Sequence, residues 1–285
     1  MDNILEVKNL SKKYLEFELK NVNFNLPKGM IMGFIGENGA GKTTTIKAIL
    51  DIIKDYSGEI KILNFDNKKE TTNIQENVGV VLDDMFFPEI LNPNDINTIM
   101  KDTYKNWDSN LYFKYIKDFS LPLKKQIKTL SKGMRKKLEI VTALSHHPKL
   151  LILDEPTSGL DPIARNEVIS IFQDFIQNGE CSIFFSSHIT TDLEHIADYI
   201  TFINNGEIVL SKTCDELLNK YGIVKCTEKE FDTLDKKDYV KYIKTKCEYD
   251  VLIENKKAFN TKYKIKTIDN ITLEDLMLIM VKGVK

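Results

Sequence analysis

Apolar and polar positions alternate over Ile4–Val7 and again over Val22–Leu26, the period of a half-buried strand, and Pro27-Lys28-Gly29 ends the second run. Met30–Ile35 is apolar without alternation, as a strand covered on both faces would be, and a glycine-rich loop then opens into a helical run, Thr43–Ile53. Lys149–Leu153 and Ser182–Phe185 repeat the buried-strand pattern, each followed by polar residues and a helix-like stretch. Parallel strands joined by crossover helices account for this order, which makes the core α/β. Tyr199–Ile203 and Glu207–Leu210 flank Asn204-Asn205-Gly206, a tight-turn signal that predicts a hairpin closing the sheet.

Two further regions follow a different pattern. Between about Met85 and His147 the composition is helical, and aromatic residues from Tyr104 to Phe119 recur at three- and four-residue intervals, which predicts an inserted helical subdomain. From Asp215 onward Lys, Asp and Tyr dominate, Tyr239–Ile253 alternates like strand, and Thr272-Leu273-Glu274-Asp275 opens a last helix with a hydroxyl cap and an acid at its third position. This tail reads as a small α+β domain of its own.

At 285 residues, with 42% hydrophobic and 29% charged positions and only 13 Gly and 7 Pro, the chain is long and apolar enough to fold around a sizeable core. Its net charge of −2 provides no global field to hold nucleic acid or an anionic bilayer, so no nucleic-acid partner is expected and any polyanion must be held by a local device. Cys181, Cys214, Cys226 and Cys247 form no C-x-x-C pair, which favours free thiols in a reducing cytosol. The first residues lack a signal-peptide pattern, and the longest apolar runs fall well short of the roughly 18 to 20 residues a membrane helix needs.

The local device is Gly36-Glu37-Asn38-Gly39-Ala40-Gly41-Lys42-Thr43, a match to G-x-x-x-x-G-K-[ST] between a buried strand and a helix. Gly36, Gly39 and Gly41 allow backbone N–H groups to converge on phosphate oxygens, with Asn38, Ala40 and Thr44 completing the loop and the helix N-terminus adding positive potential. Lys42 is expected on the β- and γ-phosphates of ATP and Thr43 on Mg²⁺. A plain strand-to-helix turn is the alternative, and Lys42-Thr43 argues against it. Downstream, the apolar strand Leu150–Leu153 ends in Asp154-Glu155; strand alternation would turn Asp154 toward the metal and Glu155 toward an attacking water as general base.

With these two elements in place, the sequence resembles the nucleotide-binding subunit of an ABC (ATP-binding cassette) transporter. Leu130-Ser131-Lys132-Gly133-Met134 is similar to that family's L-S-G-G-Q signature, with Lys132 and Met134 at the third and fifth places, and it opens a helical run. The resemblance implies that Ser131 and Gly133 reach the γ-phosphate held by a partner subunit. It also implies that Ser158-Gly159-Leu160-Asp161 is the D-loop, that Ser187-His188 carries the switch histidine, and that Tyr14 stacks on adenine. The family usually has glutamine where Val78–Leu82 leads into Asp83-Asp84; Asp83, shorter and charged, can still reach Mg²⁺.

The resemblance covers residues 1 to 214, and the tail, 215–285, looks like the extension of exporters of the bacitracin-resistance and peptide-export type. The expected fold is thus a P-loop NTPase cassette with an inserted helical subdomain (about 85–147), an antiparallel β-subdomain and a small C-terminal α+β extension. The expected function is an ATPase that powers export through a separate transmembrane permease subunit at the inner face of the membrane, as a homodimer or as a heterodimer with a second ATP-binding subunit. Met85-Phe86-Phe87-Pro88, next to Asp83, is either a docking groove for the permease or ordinary core. The rival functions are a soluble ABC ATPase outside transport, disfavoured by a single cassette without sustained heptads, and a regulatory ATP-binding module, disfavoured by Glu155.

Overall fold

The computed structural model describes residues 2–83, 87–246, 248–263 and 267–285. The chain begins with β1 (Asn3–Lys13) and β2 (Glu18–Pro27), then the fully buried β3 (Ile31–Ile35) and α1 (Lys42–Ile49). β4 (Ser57–Ile62) pairs with β1 and β5 (Phe65–Asp66) with β4, giving an antiparallel sheet in the order β2-β1-β4-β5. α2 (Thr71–Gln75) leads to β6 (Val78–Val81), and the helical insert follows as α3 (Pro93–Thr103), α4 (Ser109–Asp118), a single 3₁₀ turn at Ile127–Thr129 and α5 (Lys132–Leu144).

The chain then alternates β7 (Leu150–Asp154), α6 (Pro162–Ile176), β8 (Ser182–Ser187), α7 (Thr190–Ile196) and β9 (Tyr199–Asn204), and β10 (Glu207–Thr213) turns back on β9. These strands form a six-stranded sheet, β10-β9-β3-β8-β7-β6, parallel except for β10 at its edge. The β9–β10 hairpin therefore occupies one rim, with Asn205 (φ 48°) and Gly206 (φ 77°) supplying the left-handed turn. In a parallel sheet covered on both faces, the loops at the carboxyl ends of the strands meet in one crevice, and here those are the loops after β3, β7 and β8.

One apolar layer lies between the antiparallel sheet and the parallel one, where Phe24 and Phe184 stack 5.4 Å apart against Leu5, Leu19 and Ile46. The other joins the opposite face of the parallel sheet to the helical insert, α6 and α7. The tail adds α8 (Cys214–Lys220), β11 (Gly222–Cys226), α9 (Glu228–Phe231), β12 (Lys241–Lys244), β13 (Tyr249–Ile253), α10 (Lys256–Tyr263), β14 (Asp269–Asn270) and α11 (Leu273–Lys282). Its strands make an antiparallel sheet, β12-β13-β11-β14, over a small core that includes Val224, Tyr249, Val251 and Phe259. Leu273, Leu276 and Ile279 of α11 join the larger apolar core instead.

The structure sharpens three sequence expectations. The helix expected over Thr43–Ile53 stops at Ile49, because Asp51 takes a left-handed conformation (φ 53°) and ends it. The aromatic run Tyr104–Phe119 of the helical insert is divided between two helices: Tyr104 closes α3, and Asp108 starts α4 by accepting the Leu111 N–H at 2.9 Å. Tyr239–Ile253 is a hairpin of two strands rather than one. Cys181, Cys214 and Cys226 are free thiols, and Cys247 lies outside the described residues.

Candidate functional site

The phosphate loop leaves β3 and enters α1 at Gly41, whose φ of 114° suits glycine and where a Cβ would press on Phe17 at 2.9 Å. At Gly36 the constraint is a neighbour rather than a ligand, since a Cβ there would sit 2.5 Å from the Ile203 carbonyl. Asn38 and Gly39 are exposed at the crest, Ala40 donates its N–H to the Glu37 carbonyl (3.1 Å), and Thr44 is half-buried in the first helical turn. α1 carries no side-chain cap and no acid in its first turn, so its N-terminus keeps its positive potential. The buried Lys42 ammonium folds back to donate to the carbonyls of Gly36 (2.8 Å) and Glu37 (3.3 Å) and lies 3.6 Å from the Glu155 carboxylate.

Asp154 ends β7 and is 1% exposed. Its carboxylate accepts from the hydroxyls of Thr43 (2.8 Å) and Ser186 (2.5 Å), and among the described residues it makes no ion pair. Ser186 escaped the sequence reading because a serine in an apolar strand looks like filler; the signal was the parallel register, which sets Ser186 beside Asp154. Glu155 does not point away from Asp154 by strand alternation. It lies past the end of β7 in a left-handed conformation (φ 50°), its N–H held by Ser186, and this backbone turn swings its carboxylate toward Lys42 and His188.

His188 follows β8, and its Nδ1 lies 2.7 Å from Glu155 Oε2. An ionised carboxylate can only accept, which puts the imidazole hydrogen on Nδ1. Lys42, Thr43, Asp154, Glu155 and His188 thus form one continuous cluster at the carboxyl ends of β3, β7 and β8. Tyr14 sits to one side of the loop, 43% exposed, with the Lys12 ammonium 5.3 Å from its ring and Phe17 6.5 Å away. Phe17, the ring that packs against Gly41, was also missed by the sequence reading, and its spacing from the loop carries no separate signal.

Ser131, Gly133, Asp161 and Asp83 make no hydrogen bond or ion pair to this cluster among the described residues, although the D-loop-like turn is joined to it at its start, where the Ser158 N–H is donated to the Glu155 carbonyl at 3.1 Å. Ser131 caps α5 by accepting the Met134 N–H at 3.2 Å, and Gly133 faces Leu160. Lys132 lies across Gly159, so the signature-like loop and the D-loop-like turn touch each other. Asp161 caps α6, accepting N–H groups of Ile163 and Ala164 (both 3.0 Å), and the Ala164 bond in particular holds its carboxyl below the usual carboxylate range. Asp83 is exposed just beyond β6. Behind it the buried Lys136 of α5 donates to the Leu82 carbonyl at 2.7 Å and pairs with Glu139 at 2.9 Å, which ties α5 to the segment that carries Asp83.

A sequence profile described as "ABC transporter" matches residues 19–158. The lantibiotic transport ATP-binding protein SrtF of Streptococcus pyogenes is 35% identical over 74% of this chain and 92% of its own length. The bacitracin transport ATP-binding protein BcrA of Bacillus licheniformis is 34% identical over 76% of this chain and 72% of its own. Among solved structures, the ATP-binding subunit of an ABC transporter superposes with a TM-score of 0.69 at 28% identity, covering 75% of this chain and 91% of that one. An ATP-binding cassette solved as a dimer in a post-hydrolysis state with ADP and Pi gives 0.66 at 21% identity, covering 73% and 98%. The phosphate loop and the Asp154-Glu155 strand end lie within the matched residues 19–158, with His188 beside them in space, and the chain belongs to the ABC transporter family as one of its ATP-binding, ATP-hydrolysing cassettes.

Proposed function

We propose that this cassette hydrolyses magnesium ATP as one of two chains that close on each other, and that closure drives export of a substrate through a separate membrane-spanning permease subunit. The observation that carries the reading is Glu155, held by one chain between Lys42 (3.6 Å) and His188 (2.7 Å) in front of the uncapped start of α1. In this reading Lys42 and the α1 N-terminus bind the phosphates, Tyr14 stacks on adenine, Glu155 is the general base for water, and His188 contacts the γ-phosphate. Ser131, Gly133 and Asp161 act on the nucleotide of the other chain, which fits their separation from the cluster.

The residues present suit Mg²⁺. Asp154 is a buried carboxylate without an ion pair, already ordered by two hydroxyls, one of them Thr43, and all of these donors are hard oxygens. Among the described residues no cluster of three or more His, Cys, Asp or Glu could hold a metal, in keeping with an ion that takes its other ligands from phosphate and water. Thr43 and Asp154 would hold it, with Asp83 as a third oxygen donor. When bound there, magnesium would supply neutralisation of charge on the nucleotide phosphates.

Among the described residues no helix is long and apolar enough to cross a membrane, so in this reading the permease supplies the span and fixes the cassette at the inner face. A groove of about 130 Å³ beside β6, where Val80, Leu82, Phe87, Met100 and Tyr104 face Glu139 and His146, is the proposed seat for a permease helix. Phe87 is half-buried there; Met85 and Phe86 lie outside the described residues. Residues 1–214 are taken as the cassette and 215–285 as an accessory domain, and the names of SrtF and BcrA support a peptide antibiotic as cargo. The partner cassette is a second copy or a paralogue. Glu155→Gln with magnesium ATP tests the reading: it elutes from a sizing column as a dimer, and elution as a monomer at saturating nucleotide, with both candidate partner chains present, overturns it.

A further inference from the structure

The last helix of the chain is built into the catalytic end of the cassette. Leu273, Leu276, Ile279 and Met280 of α11 are buried in the same apolar cluster as Leu193 and Ile196 of α7. Thr272 and Asp275 cap α11 from within, each taking a backbone N–H of the other. The N–H of Leu273, the first helical residue, goes elsewhere: it is donated to Glu194 Oε1 on α7 at 2.6 Å. An anionic acceptor at the positive end of a helix makes a charge-assisted bond, and here it commits α11 to α7.

α7 begins at Thr190, immediately after the loop that holds His188. That loop is short and stiff, with Ser187 Oγ accepting the Ile189 N–H at 2.9 Å. On its inner side α7 rests on β3 without slack, since a Cβ at Gly33 would fall 2.9 Å from Leu193. α7 is therefore held between the strand that feeds the phosphate loop and the last helix of the tail. Where the two meet, Met277, Leu278 and Val281 of α11 wall an open groove of about 360 Å³ whose opposite side is Glu37, His188 and Ile189.

We infer that Glu194 is a positioning residue for His188: by holding the first N–H of α11 it uses the C-terminal extension to fix α7, and with it the imidazole against Glu155. The inference rests on the reading of His188 as the γ-phosphate contact. Steady-state ATPase assays on Glu194→Ala, Glu194→Gln, His188→Ala and the Glu194→Ala/His188→Ala pair test it. Glu194→Ala is expected to lower kcat roughly tenfold while KM stays within about twofold, as misplacement of a catalytic group does. Glu194→Gln keeps a carbonyl acceptor and should restore most of the rate, and in the His188→Ala background Glu194→Ala should add nothing. Unchanged kcat in Glu194→Ala, no rescue by Gln, or a loss that multiplies with that of His188→Ala overturns the inference while leaving the site intact. Wild-type turnover in His188→Ala instead brings down the reading of the site, and the inference with it.

Discussion

Two helices of the cassette begin at motifs that point to an anion, and they begin in opposite ways. α1 starts after the left-handed Gly41 with no side-chain cap, and the groups around it, Lys42, Thr43, Asp154, Glu155 and His188, all come from its own chain. α5 starts with its own cap in place on Ser131, and its first turn, with Lys132 lying across Gly159 and Gly133 facing Leu160, makes no hydrogen bond or ion pair to Asp154, Glu155 or His188 among the described residues. The first is a complete cradle; the second is half of one, and its other half has to come from outside. Its root is nevertheless fixed, by Lys136 on the Leu82 carbonyl and, past its last turn, by His146, which bonds to the Val78 carbonyl at 3.3 Å and stacks on Tyr104 at 4.1 Å. A helix anchored along its length and exposed at its capped start suits presentation to a partner.

The largest effect should come from the complete site. Glu155→Gln keeps the shape and removes the proposed base, so kcat should fall by about 10² to 10⁴, or about 3 to 5 kcal/mol of barrier, while calorimetry still finds ATP bound. Undiminished turnover would leave the α1 cluster without its chemistry. Next is the root of α5. Burial pushes the pKa of His146 down to about 4 from the ordinary 6.5, so the unfolded chain takes up a proton in that window and the folded one does not. The full contribution is present above pH 6.5 and is lost as pH falls through 4, about 3 kcal/mol in all. Urea midpoints across this range should show that loss, and His146→Phe should flatten it; an unaltered acid limb would mean that the root of α5 is not held in this way.

A third test sets the two helix starts directly against each other. Lys42→Ala should weaken ATP binding to the isolated chain roughly 10- to 100-fold, the worth of one charge-assisted contact to phosphate. Gly133→Asp puts a carboxylate where the other chain's phosphate would come, so it should spare binding to the isolated chain and lower turnover by a similar factor. If calorimetry finds both variants equally poor at binding ATP, α5 belongs to the same site as α1 and the distinction fails.

How much of this was legible in the sequence depends on whether neighbours along the chain or across the fold do the work. The phosphate loop and the Asp154-Glu155 strand end were readable because their residue types sit at fixed short spacing beside strand patterns. The reason Asp154 and Glu155 diverge was not, since it lies in one left-handed residue rather than in the pleat. Ser186 becomes meaningful only once β8 is placed beside β7, and Glu194 only once α11 has returned to α7 from 79 residues away. The tail sheet shows the same limit: β11 pairs with β13 across the intervening β12, which alternation alone does not reveal.

The smallest predicted effect concerns the rim of the α1 cradle, where two rings have different duties. Tyr14 is exposed enough to offer a face to adenine, and a stacked pair contributes about 0.5 to 1.5 kcal/mol, so Tyr14→Ala should raise KM roughly 3- to 10-fold. Adenine lies far from the bond that breaks and is bound equally before and during reaction, which means kcat should not move. Phe17 packs on Gly41 itself, so Phe17→Ala disturbs the loop that places the phosphates and should lower kcat as well. A Tyr14→Ala variant that loses kcat with KM unchanged would make Tyr14 part of the cradle rather than its rim, and would move the adenine contact elsewhere.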